Sequence, residues 1–297
     1  MNTTKDNAYL RLHIGILIAG GTGIFGRMIT LTEIPLVWYR MLTAAIFMAG
    51  IMFYNHRLHR LPMPHIMKIS GCGALLAIHW VLFYASIKAS NVSIAVVCIA
   101  LDGFFTALLA PLISRRRFSI REIMLSLITL GGILLIFGFD SRYRLGIVFG
   151  ILTSFFYALF SIYSKRTQQV TGHKSSTMLL YELVSGWLLL TLLLPFYTLL
   201  FPNASLIPST ADWIMLPIFG TIFTIGPFLL QLQALRVIPA FTVNLSYNLE
   251  PIYSIVFALI IFDEGNELNR YFWLGVLMII LSVVLQTIYS KRRDKAA

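Results

Sequence analysis

The sequence predicts an all-α integral membrane protein in which ten transmembrane helices form two inverted five-helix repeats. Three observations carry that prediction. The 297-residue chain is 58% hydrophobic and 12% charged, against about 25% charged residues in a soluble globular chain. Its mean hydropathy is +0.82. Ten apolar runs, each about the 20 residues a bilayer core requires, follow one another with short connections. They lie at roughly 12–30, 34–54, 66–86, 92–113, 120–139, 145–164, 177–200, 213–233, 242–262 and 271–290.

The first run follows Lys5 and Arg11. It resembles a signal segment, yet it is long enough to span, shows no clear cleavage site and is followed by many similar runs, so a retained first helix is expected. Its Gly21-Thr22-Gly23-Ile24-Phe25-Gly26 matches a dinucleotide-binding pattern, but no strand precedes it. Gly15, Ala19 and Gly23 read better as a small-residue face for close helix packing. Run two carries Arg40 after Pro35, and the loop behind it holds His56 and His59 among Arg57 and Arg60, cations that disfavour a metal. Run three carries His79, Trp80 and Tyr84, read either as packing or as a cavity wall for an aromatic or cationic ligand. Cys72 and Cys98 lie in apolar runs and read as small buried residues. Run four holds Leu101-Asp102-Gly103 and leads to the basic loop Ser114-Arg115-Arg116-Arg117. Run seven holds Glu182, and Pro227 is expected to kink run eight. Run nine holds Asn244, Ser246, Tyr247 and Asn248 just before Glu250-Pro251.

Orientation follows from the loops. With a cytoplasmic N-terminus, seventeen of the 23 Lys and Arg fall on the inner side, five on the outer side, and Arg40 within a span. That asymmetry is the positive-inside pattern. It accounts for the net charge of +11 and argues against nucleic-acid binding. Both termini are then expected in the cytoplasm, and the setting is a bacterial plasma membrane.

The two halves, 1–140 and 141–297, repeat one another. An offset of 148 residues aligns Leu101-Asp102-Gly103 with Leu249-Glu250-Pro251, and Ile87-Lys88 with Leu235-Arg236. An offset of 142 aligns Tyr39-Arg40 with Tyr181-Glu182. Five spans is an odd number, so the second copy is inverted, a recurring plan of secondary transporters. The opposite charges of Ser114-Arg115-Arg116-Arg117 and Phe262-Asp263-Glu264-Gly265 agree with that inversion.

A charge at the bilayer centre costs roughly 2.5–3.5 kcal/mol, so the four deep charges are the functional candidates. Asp102 and Glu250 each precede a helix breaker, where a freed carbonyl beside a carboxylate suits a proton, a cation or a substrate ammonium. The competing reading is a structural ion pair with Arg40. Arg40 in turn suits a substrate carboxylate, and Glu182 lies on the equivalent helix or reaches solvent at the inner end of its span. With His79, Trp80, Tyr84, Asn244, Tyr247 and Asn248 these complete the candidate substrate site. No catalytic residue, cofactor or metal is expected.

Asn248-Leu249-Glu250-Pro251-Ile252-Tyr253, then Ile261-Phe262-Asp263-Glu264, then Phe272-Trp273-Leu274-Gly275 resembles the second repeat of EamA-type carriers in the drug/metabolite transporter superfamily. Arg40 after Pro35 is similar to an arginine common at that place in the family. Repeat one departs from the pattern at Asp102, Gly103 and Arg116. The resemblance implies a carrier that exports or exchanges a small polar or amphipathic metabolite, with amino acids frequent among the family's substrates, by alternating access. Proton coupling and simple facilitation both stay open, as does oligomeric state. The rival from another class is a membrane-embedded enzyme acting on a lipid-linked substrate. It calls for an acid/base cluster near one interface and a long loop, whereas the loops here are short and the charges deep. A sensor would call for a soluble output domain.

Overall fold

The computed structural model describes residues 3–115, 117–137, 144–262, 273–275, 277–285 and 288, and these are helical apart from turns and short connections. The helices are α1 (Thr3–Ala19), α2 (Thr22–Met28), α3 (Glu33–Tyr54), α4 (Met63–Ala89), α5 (Val92–Ile99), α6 (Asp102–Ser114), α7 (Ile120–Phe137), α8 (Arg144–Thr171), α9 (Ser175–Leu200), α10 (Thr210–Gly220), α11 (Gly226–Val237), α12 (Ala240–Tyr247) and α13 (Glu250–Phe262). A further apolar helix covers Trp273–Leu285. Asp263, Glu264, Arg116 and the cations beyond 288 lie outside the described residues.

Among the described residues, six helices are long and apolar enough to cross a membrane: Asp6–Met28, Glu33–Tyr54, Met63–Ala89, Arg144–Thr171, Ser175–Leu200 and Thr210–Val237. The expected continuous spans at 92–113 and 242–262 are each broken in two. The breaks fall at Ala100-Leu101 and at Asn248-Leu249, so Asp102 and Glu250 open new helices. Pro251 therefore starts a helix instead of kinking one. It occupies the first turn of α13, where its missing N–H costs no hydrogen bond. A carboxylate in that same turn is favoured by the helix dipole, which offsets part of the cost of burying it.

Span Thr210–Val237 also deviates from a regular helix. Ser209 and Asp212 form a reciprocal capping box at its start, and Thr221–Ile225 is a π-helical turn. Pro227 explains the turn: it has no N–H to offer the carbonyl of Phe223, so the α-helical ladder cannot pass straight through.

At the centre α4 packs against α8 and α9, while α1 packs along α11 and α3 against α9 and α10. A single large apolar core runs from α1 to α12. Close approach at the α4–α9 crossing requires Gly73, since a methyl group there would overlap Ser185 Oγ and the carbonyl of Glu182.

The two ends differ. At the end bearing Arg115, Arg121, Lys165 and Arg166, a cavity of about 1040 Å³ opens between α6, α7, α8 and α12. The opposite end is tied shut. The Thr30 amide and hydroxyl donate to Asp212 at 3.1 and 2.5 Å, the Thr32 hydroxyl donates to the Ser205 carbonyl at 3.2 Å, and Lys88 donates to the Leu31 carbonyl. Near the open end His65 Nδ1 and His173 Nε2 stand 2.9 Å apart, and Arg236 donates to the His173 carbonyl at 2.5 Å.

Two predictions test this packing. Gly73→Ala lowers stability by roughly 1–3 kcal/mol through overpacking, whereas Gly71→Ala, with open space around its Cα, leaves the thermal midpoint in detergent unchanged. Burial, and then the nearby His65, holds His173 below its ordinary value of 6.5. The folded protein therefore binds fewer protons there than the unfolded chain. The contribution of the pair is full above 6.5 and is lost as pH falls through the depressed value. The midpoint consequently drops more steeply from about pH 7 to about pH 5 in the wild type than in His173→Asn.

Candidate functional site

Arg40 is 1% exposed and sits near the middle of α3. Its Nε donates to Thr224 Oγ1 at 2.7 Å, Nη1 to the Tyr84 hydroxyl at 2.7 Å, and Nη2 to the Phe223 carbonyl at 3.4 Å. The acceptors from α10–α11 exist because of the π-helical turn. Pro227 leaves the Phe223 carbonyl without its helical donor, and the turn swings Thr224 inward, where its own hydroxyl donates to the Phe219 carbonyl at 2.8 Å. The guanidinium carbon lies 3.9 Å from the centre of the Trp80 ring and 4.3 Å from that of Phe219. Desolvated cation–π contacts of this kind contribute about 2 kcal/mol each. Neither Asp102 nor Glu250 is in ion-pair contact with Arg40.

Arg40 borders a small buried cavity of about 30 Å³. Glu250 and Thr22 also line it, with His79, Trp80, Tyr157 and Tyr247 among its walls. It has a cation and a carboxylate on its surface and aromatic rings around them. Its volume suits water, not a metabolite, for which pockets run about 300–1,000 Å³. His79 is fixed by its Nδ1–H, which donates to the Thr153 carbonyl at 3.1 Å. Its ring lies 4.7 Å from Tyr157, and Tyr157 lies 5.9 Å from Tyr247. The cavity is thus walled by broken or kinked elements: α1–α2, α5, the π turn and the α12–α13 break.

Comparison with known proteins gives the family. The model of the EamA-like transporter family matches residues 7–138 and again 144–288. The chain belongs to the EamA-like transporter family. It is similar to the uncharacterized transporter YxxF of Bacillus subtilis (strain 168), 23% identical over 300 residues that cover 98% of this chain and 92% of that protein. A solved crystal structure shares the fold with a TM-score of 0.76 at 14% identity, covering 97% of this chain and 99% of the other. This EamA-like protein is an integral membrane protein.

Of the residues singled out in sequence, the structure brings Arg40, His79, Trp80, Tyr84, Tyr247 and Glu250 together around the cavity. Tyr84 serves as the acceptor that holds Arg40. Asp102 is fully buried, and neither of its oxygens accepts a hydrogen bond of good geometry from a described residue. It stands behind the cavity wall, within electrostatic range of Tyr157 and Tyr247.

Three residues lie elsewhere. Asn244 Nδ2 donates to Thr106 Oγ1 at 2.8 Å and Asn248 Nδ2 to Thr129 Oγ1 at 3.4 Å. Both amides thus tie α12 and the following break to α6 and α7 instead of facing the cavity. Glu182 neither reaches solvent nor shares a cavity with Arg40. It is fully buried and accepts from Ser164 on α8 at 2.7 Å. The reason is rotational: Glu182 lies on the face of α9 that crosses α4 at Gly73.

Thr224, Phe223, Tyr157, Thr22 and Phe219 were not expected. For the first two a signal existed. They stand three and four residues before Pro227, as Asn248 and Tyr247 do before Pro251, and a proline frees acceptors at that spacing. Tyr157 and Thr22 carry no such mark. If the π turn holds Arg40, Thr224→Val costs roughly 1.5–3 kcal/mol, the value of a hydrogen bond to a charged group, in chemical denaturation. Thr221→Val, whose hydroxyl donates to the carbonyl of Pro217 within its own helix, costs less than half of that.

Proposed function

We propose that this protein is a secondary transporter that moves a small polar or amphipathic metabolite, an amino acid among the candidates, by alternating access. The observation that carries the reading is a cavity whose lining holds both a hydrogen-bonded guanidinium and the Glu250 carboxyl among aromatic walls. A zwitterion fits that polarity, its carboxylate on Arg40 and its ammonium on Glu250 with cation–π support from the rings.

In this reading the chain has ten spans in two inverted five-helix repeats, 1–140 and 141–297, with both termini in the cytoplasm of a bacterial cell. Support comes from the two matched segments of the family model and from helix breaks 148 residues apart in numbering, each followed by a buried carboxylate. The hollow basic end is then the inner mouth, and the end closed by Thr30, Thr32 and Asp212 is the outer gate. Between the inner mouth and Asp102 lie about two turns of α6 against α12, held by the Asn244–Thr106 bond. Parting of α6 from α12 would join the large cavity to the small one, and Asp102 and Glu250 at the half-helix starts are the groups whose protonation would bias that movement. The family and the relative are transporters in name, and the lipid-linked enzyme reading gains nothing from the geometry.

Screening the purified protein by thermal shift against amino acids, nucleotides and polyamines selects a ligand for flux assays in liposomes. Glu250→Gln abolishes flux of that ligand while folded yield stays at the wild-type level. Unchanged flux in this variant overturns the assignment of Glu250.

A further inference from the structure

Glu182 is a deep carboxyl that the proposed transport cycle does not use, and its surroundings are unusual. One oxygen accepts from the Ser164 hydroxyl at 2.7 Å; the other has no hydrogen-bond partner and no exposure. Ser164 of α8 faces it directly, and Cys72 of α4 stands nearby with its thiol 3.6 Å from Thr167 Oγ1. Met41 of α3 packs one turn away, against Gly186. Cys72 is the titratable group among them, and neither α3 nor α11 turns a charged side chain onto Glu182.

A seam of unpartnered polar atoms leads from this carboxyl toward the end of the molecule that carries the His65–His173 pair. Ser161, Ser164 and Gln168 recur at spacings of three and four residues, so they share one face of α8, and Ser164 shows that this face turns to Glu182. Ser175 lies seven residues before Glu182, on the same face of α9. Both amide atoms of Gln168, Ser175 Oγ and the free oxygen of Glu182 are buried without a partner among the described residues, as is Ser161 Oγ one turn to the other side of Ser164, and each of these residues is at most 4% exposed. Roughly 90% of buried polar groups in proteins are satisfied, and internal water supplies the partner where protein does not. An unpaired buried carboxylate is among the costliest groups a fold can hold. Ser164 donates to one oxygen of Glu182, which leaves the other as the place for a proton.

We infer that Glu182 is a proton-binding site separate from the central cavity, loaded and unloaded through a hydrated polar seam of Ser164, Gln168 and Ser175 that leads to the His65–His173 end. The proton is carried on the oxygen that Ser164 does not occupy. Because Glu182 sits at the α4–α9 crossing, its charge state acts on the packing of α4, α8 and α9 rather than on substrate.

Infrared difference titration of the purified full-length protein tests this without any substrate. The wild type shows a protonated-carboxyl stretch that disappears as pH rises and shifts in heavy water. Glu182→Gln removes that band, whereas Asp102→Asn and Glu250→Gln keep it. Gln168→Leu combined with Ser175→Ala slows its deuterium shift several-fold and leaves the bands of the other two carboxyls alone. In Cys98→Ala protein the Cys72 thiol stretch follows the same titration, a readout that keeps native Glu182 in place. A band that survives Glu182→Gln, that never titrates while the protein stays folded, or whose exchange ignores the Gln168 and Ser175 changes overturns the proposal. Loss of central-site flux in Glu250→Gln leaves this result unaffected, so the two readings fail separately.

Discussion

The Arg40 guanidinium is buried in the middle of α3 with no carboxylate in contact, and much of the interior is arranged around that fact. Leaving a cation uncompensated in low dielectric costs several kcal/mol. Here the compensation is distributed. Thr224, Tyr84 and a main-chain carbonyl each accept one hydrogen bond, one from each of its three nitrogens, and the Trp80 and Phe219 rings pack against it. The π-helical turn in the span Thr210–Val237 supplies two of the acceptors. Pro227, four residues on from Phe223, is the covalent cause. One imino acid thereby couples the path of a helix to the retention of a charge on another.

The second constraint is the pair of broken helices. Asp102 and Glu250 open α6 and α13 at positions 148 apart in numbering, where the positive helix end lies beside each carboxylate. The two are not equivalent in their surroundings. Glu250 lines the cavity with Arg40, while Asp102 is fully buried outside that lining and accepts no hydrogen bond of good geometry among the described residues. The cavity therefore has one cation and one carboxyl on its lining, with the second carboxyl outside it.

Glu182 illustrates why helical periodicity stops short of a site. The sequence places Arg40 and Glu182 at matching points of two spans, and spacing alone suggests that both face the same space. The glycine at 73 lets α4 come close enough to α9 to cover Glu182, and that crossing sends the two charges to separate polar clusters. Asn244 and Asn248 went the same way. Their i,i+4 spacing correctly puts them on one face of α12, yet that face meets Thr106 and Thr129 on neighbouring helices.

The chain by itself determined that it is helical and apolar enough for a membrane, which of its charges lie in apolar runs, and that helix breakers follow Asp102 and Glu250, because these depend on local composition, on proline and glycine chemistry and on the cost of charge in hydrocarbon; that two expected spans split there into separate helices appeared only in the structure. The chain also marked Arg40, Trp80, Tyr247 and Glu250. Only the tertiary structure decided which deep groups share a cavity, because that depends on the azimuth at which one helix meets another. Azimuth is set by close contacts such as Gly73 against α9 and by backbone departures such as the π turn at Thr221–Ile225, both of which join residues far apart in the chain.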